Sequence, residues 1–86
     1  MQEITYTITD PEGMHARPAG ELVKAAAACA CSVTVEKAGG RQVDAKRIMG
    51  VMGLCAKQGD QIVLRCEGEG EEEAMATLSS FIEQNL

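Results

Sequence analysis

Large aromatic side chains are nearly missing from this chain. Its 86 residues include one tyrosine, one phenylalanine and no tryptophan. A core built here is therefore expected to be aliphatic and alanine-rich, with Tyr6 and Phe81 as its only large rings. Basic charge is also scarce. Eight Lys and Arg against thirteen Asp and Glu leave a net charge of −5, which argues against nucleic-acid binders, since these carry a basic patch. No run approaches the roughly 20 apolar residues of a membrane span. The N-terminal stretch lacks the charged-then-apolar pattern of a secretory signal. The expectation is a cytoplasmic protein with no membrane and no nucleic-acid partner. At this length residues 1–86 make one domain with a modest core.

Histidine is scarcer still, with His15 alone, and that limits metal sites. Four cysteines stand at 29, 31, 55 and 66. Cys29-Ala30-Cys31 is not the C-x₂-C spacing of zinc sites, and no second pair or second histidine completes a ligand set. The expectation is reduced, buried thiols serving as small apolar side chains, with no metal and no cofactor. A redox role would need an exposed thiol of lowered pKa.

What is present centres on Gly13-Met14-His15-Ala16-Arg17-Pro18-Ala19-Gly20. Proline is tolerated in a helix only in its first turn, where backbone donors have no intrahelical partner. His15 then falls at or beside the N-cap, with the N–H groups of Ala16 and Arg17 free and pointing outward. Such a helix end is an anion site, and Arg17 adds a planar charged fork suited to phosphate. The combination predicts a histidine that carries a phosphoryl group. The competing reading is a surface or capping histidine.

This block resembles the active-site signature of the HPr family, the phosphocarriers of the bacterial sugar phosphotransferase system. A second block, Lys46-Arg47-Ile48-Met49-Gly50-Val51-Met52-Gly53-Leu54, resembles that family's short second helix. The resemblance runs from Thr5 to Ile82.

Periodicity along the chain predicts the elements. Residues 3–9 alternate as a half-buried strand, with Ile4, Tyr6 and Ile8 on one side. A helix is expected from Ala16 to about Ala28, burying Ala19, Leu22, Val23 and Ala26. Gly20, Lys24 and Ala27 fall on another stripe of that helix, aligned below His15. Strands are expected at 32–37 and 41–44, joined at Gly39-Gly40, and at 60–67 with Ile62, Leu64 and Cys66 inward. Glu71-Glu72-Glu73 should open a last helix, where acids complement the dipole. That helix should bury Ala74, Leu78 and Phe81, with Ile82 beside them. Between them, 48–54 is too apolar for a surface turn. As a short helix it groups Val51, Leu54 and Cys55 on one face and Ile48, Met49 and Met52 on the other. A two-turn helix on a sheet buries one face, so the second group is either an exposed docking patch or ordinary core.

The order β-α-β-β-α-β-α predicts an α+β open-faced sandwich: one four-stranded antiparallel sheet with three helices on one face. The HPr resemblance implies the same fold, with the first and fourth strands adjacent. It also implies a carrier rather than an enzyme, taking a phosphoryl group from enzyme I, charged by phosphoenolpyruvate, and passing it to the IIA domains of sugar permeases. In that reading His15 is the acceptor through Nδ1 and Arg17 stabilises phosphate with the amides of Ala16 and Arg17. Gly20, Lys24, Ala27, Arg47, Ile48, Met49 and Met52 would dock both partners, and regulatory proteins could use the same face. A monomer is expected. Phosphoryl acceptance needs a neutral imidazole, and the positive helix end and Arg17 both disfavour imidazolium.

One departure stands out. Many Gram-positive members carry a regulatory serine between Lys46 and Ile48, where this chain has Arg47. Arginine accepts no phosphate, so regulation by a serine kinase is in doubt. A paralogue acting as a regulatory binding module, or in a non-sugar phosphorelay, is the alternative. Retention of both His15 and Arg17 argues against a purely binding module.

Overall fold

The computed structural model describes residues 1–86. Its elements follow the expected order: β1 (Gln2–Thr7), α1 (Ala16–Ala27), β2 (Ser32–Lys37), β3 (Gln42–Asp44), α2 (Ile48–Met52), β4 (Gln61–Glu67) and α3 (Glu71–Asn85). All pairings in the sheet are antiparallel, in the order β1-β4-β2-β3. The first and fourth strands are neighbours, with Ile4 opposite Leu64 and Tyr6 opposite Ile62.

Strand alternation sorts the two faces. Val33, Val35, Ile62, Leu64 and Cys66 are fully buried under the helices. The other face is wet and polar. There Arg65 lies between strands, its Nε donating to Glu3 Oε2 at 2.6 Å and its Nη1 to Glu36 Oε1. From the helices, Ala19, Leu22, Ala26, Val51, Ala74, Leu78 and Ile82 fill the core, which has no buried polar side chain. The aliphatic, alanine-rich interior is as expected. α1 packs against α2 and α3, and α3 lies against β1 and β4.

Several local expectations needed correction. β1 ends at Thr7 rather than 9 because the next donors leave the sheet. Ile8 N–H bonds Asp60 O at 2.9 Å, and Thr9 and Asp10 N–H both bond Leu86 O, at 2.6 and 2.8 Å. On α1, Val23 is only half-buried and Pro18 takes a core place. On α3, Phe81 is half-buried and Met75 lies inside instead. α2 stops at Met52, and Cys55 adopts φ +53°, the one non-glycine residue in left-handed conformation. That turn carries Cys55 to the surface while Val51 and Leu54 stay buried. The expectation of buried thiols therefore holds for Cys31 and Cys66, fails for Cys55 and is half met by Cys29. Burial pushes the Cys66 thiol up to about 11, with Cys31 beside it adding to the effect. Burial also raises Cys29. Neither has the lowered pKa that a redox nucleophile needs.

Candidate functional site

His15 is the N-cap of α1, with extended backbone angles of −89° and −176°. The loop before it is anchored at each of its backbone donors. Thr9 and Asp10 N–H bond Leu86 O, and Pro11 has no N–H. Glu12 N–H bonds the Asp10 carboxylate at 2.8 Å, an Asx turn. Gly13 N–H bonds Asp10 O at 2.9 Å, Met14 N–H bonds Ala56 O at 2.9 Å and His15 N–H bonds Gly13 O at 3.0 Å. The next two donors, on Ala16 and Arg17, bond no protein group, and Pro18 follows with none. The first intrahelical-type bond runs from Ala19 N–H to His15 O, at 3.0 Å. The unpaired donors of this region are thus confined to two consecutive amides beside the histidine. Their exposure to solvent and the positive end of the helix dipole favour an anion there.

The side chains deepen this picture and correct part of it. His15 stands at the N-cap, yet its side chain makes no hydrogen bond to the helix amides. Its Nε2 lies instead 3.3 Å from Glu12 Oε2. The expected surroundings of the ring were purely positive. A carboxylate three residues back, brought round by the Asx turn, supplies the opposite charge. The imidazole is about one-third exposed, its side chain showing 30% of its surface. It is therefore reachable by a macromolecular partner. Arg17 is well exposed, with Nη1 3.8 Å from Glu21 Oε2 one helical turn on. An ion pair so loose and so wet holds little energy, so the fork is free to swing.

The predicted docking residues are at the surface. Gly20, Lys24 and Ala27 line the exposed side of α1. On α2, which packs against α1, Met49 is 81% exposed, Ile48 40% and Met52 37%. The reading of these methionines as ordinary core is excluded. Apart from Met1, they are the exposed large apolar side chains of the molecule. Arg47 caps α2 from an exposed position, its Nε 3.8 Å from Asp44 Oδ2. Glu12 is the site residue that sequence reasoning missed. It stands in an irregular loop, where no periodicity says which way a side chain turns.

With this geometry in view, comparison with known proteins is specific. Residues 2–84 match the family model described as PTS HPr component phosphorylation site. The phosphocarrier protein HPr of Streptomyces coelicolor is 43% identical over 86 residues, covering all of this chain and 92% of that one. The HPr-like protein Crh of Halalkalibacterium halodurans is 43% identical over 72 residues, 84% of each chain. The crystal structure of an HPr from Thermoanaerobacter tengcongensis superposes with a TM-score of 0.90 at 42% identity, covering 98% of this chain and 93% of that one. The same organism's HPr dimer superposes at 0.76, covering 98% and 95%. Match, identity and fold agree, and the chain belongs to the HPr family of phosphocarrier proteins of the phosphotransferase system.

Proposed function

We propose that this protein accepts a phosphoryl group on His15 from phosphorylated enzyme I and hands it to the IIA domains of sugar permeases. The observation that carries this reading is the confinement of unpaired backbone donors to Ala16 and Arg17, beside a partly exposed imidazole. In the transfer the neutral Nδ1 lone pair attacks phosphorus. The bond from phosphorus to the donor's histidine breaks, and its electrons return to that ring. The phosphoryl oxygens then accept from the two free amides, and Arg17 leaves Glu21 to bind them. Charge stabilisation and alignment by the docked partner supply the acceleration. Only a moderate affinity for the group serves a carrier, and two amides with one exposed arginine provide it.

Docking falls to Ile48, Met49 and Met52 on α2 with Gly20, Lys24, Ala27 and Arg47 beside them. Methionine adapts its shape to more than one partner surface, as a protein that meets a donor and several acceptors requires. Each copy carries its own complete site, so transfer needs no more than a monomer.

Labelling with 32P-phosphoenolpyruvate and enzyme I tests the assignment. His15→Ala should take up no label while keeping a folded spectrum by circular dichroism. Undiminished labelling of that variant refutes His15 as acceptor. A regulatory binding module is the second reading, favoured by the likeness to an HPr-like protein Crh. It predicts folded wild-type protein that enzyme I leaves unlabelled.

A further inference from the structure

We infer that Glu12 is a positioning residue for His15: its carboxylate holds the ring proton on Nε2, which leaves Nδ1 bare as the nucleophile. The inference rests on the carrier reading above, but its first test does not. Glu12 Oε2 lies 3.3 Å from His15 Nε2. The position is built into the loop. The Asp10 carboxylate accepts from Glu12 N–H at 2.8 Å and its carbonyl accepts from Gly13 N–H at 2.9 Å. Gly13, at φ +65°, lies so close to the next segment that an added Cβ would stand 2.5 Å from Ala56 O. These contacts fix the backbone on both sides of Glu12 and set where its side chain starts; the carboxylate itself is well exposed, and the ring is its one charged partner.

A neutral imidazole carries its proton on one nitrogen and its lone pair on the other, and the partner of the protonated nitrogen decides which is which. A carboxylate is an acceptor only, so it selects the Nε2–H form. Attack by Nδ1 forms the N–P bond and breaks the bond between phosphorus and the donor's histidine, whose ring keeps the electron pair. The attacking ring gains positive charge, shared with Nε2–H, and Glu12 faces that charge through the retained proton. No proton needs to leave during the step. Release to the next acceptor reverses it. The acid and the amides thus divide the ring between them, Glu12 serving Nε2 and Ala16 and Arg17 serving the phosphoryl group on Nδ1.

Nitrogen-15 spectra of the His15 ring, recorded at alkaline pH where it is neutral, test this directly. Wild type should show predominantly the Nε2–H form. Glu12→Ala should move the population toward Nδ1–H, and Glu12→Gln, which keeps an acceptor oxygen, should restore most of it. Phosphoryl uptake from enzyme I should slow by about twofold to fivefold in Glu12→Ala, the range of one exposed charge contact, with Glu12→Gln between the two. Identical ring spectra in wild type and Glu12→Ala overturn the inference, as does unchanged uptake by Glu12→Ala. Failure of the carrier reading looks different: no variant, wild type included, is labelled, while the ring spectra still respond to Glu12.

Discussion

Gly13 shows how one residue holds the site. Its φ of +65° suits glycine, and the space where a Cβ would stand holds the Ala56 carbonyl, 2.5 Å away, and Lys57 Cα, 2.7 Å away. The neighbouring Met14 N–H bonds that same carbonyl. Gly13→Ala must therefore push the Asp10–His15 loop off the Ala56–Lys57 segment. We expect a loss of about 2 kcal/mol in urea unfolding, from strain at a positive φ and the close contact, and a ring of His15 displaced from Glu12. A stability within a few tenths of wild type would show that the loop yields more easily than its packing implies. The other positive-φ residue near the site, Cys55, carries a side chain where glycine is easier, and nothing else in the structure accounts for that choice.

At the scale of elements, α2 contradicts the ordinary use of a short apolar helix. Five residues, Ile48–Met52, place only Val51 inside. The energy that holds α2 in place comes from Val51 and Leu54 beneath it and from its neighbours α1 and β3. Lys46, whose Nζ donates to Cys29 O at 3.0 Å, ties its approach to the end of α1. Because Met49 contributes almost nothing to the core, Met49→Glu should leave the midpoint of thermal unfolding unchanged. It should weaken binding to enzyme I by about tenfold or more by titration calorimetry, since a carboxylate must then be desolvated at the contact. Equal affinity removes Met49 from the docking surface. Arg47 belongs to the same element. It offers no hydroxyl, and incubation with an HPr kinase and ATP should yield no phosphoserine; strong incorporation at Ser32, Ser79 or Ser80 would overturn this.

For the molecule as a whole, the closing of the sheet depends on turns that titrate. The Asp60 carboxylate accepts from Lys57 N–H at 2.9 Å and lies 3.5 Å from Lys37 Nζ. Asp60 O accepts from Ile8 N–H, so this turn joins the end of β1 to the start of β4. The bond from Lys57 N–H, aided by Lys37, holds the Asp60 carboxyl below its ordinary 3.8. Glu71 is likewise held low, by the Met1 amine 2.6 Å away and by Gly68 N–H. A depressed carboxylate stabilises the fold above its unfolded pKa, and that share disappears as pH falls through the folded value. Stability should therefore decline from about pH 4 downward, and Asp60→Asn should show a shallower decline in urea titrations across the same range. Parallel curves for the two proteins would assign the acid sensitivity to other carboxylates.

Residues alone determined most of the architecture. Alternation in 3–9, 32–37 and 60–67 and the Ala19, Leu22, Val23, Ala26 stripe follow from the two periods of regular backbone, with glycine and proline at the breaks, and the structure moved only strand ends and the half-buried Val23. The same local rules placed His15 at or beside the start of α1, because a proline three residues on must fall in a helix's first turn. Two things lay beyond them. Which face of α2 is wet depended on how much room the sheet leaves, since either face is apolar in sequence. The approach of Glu12 to His15 depended on the Asx turn at Asp10 and on Ala56 and Leu86 reaching that loop from two distant parts of the chain. Local periodicity reports on neighbours along a helix or strand; an irregular loop takes its shape from partners that only the folded molecule brings to it.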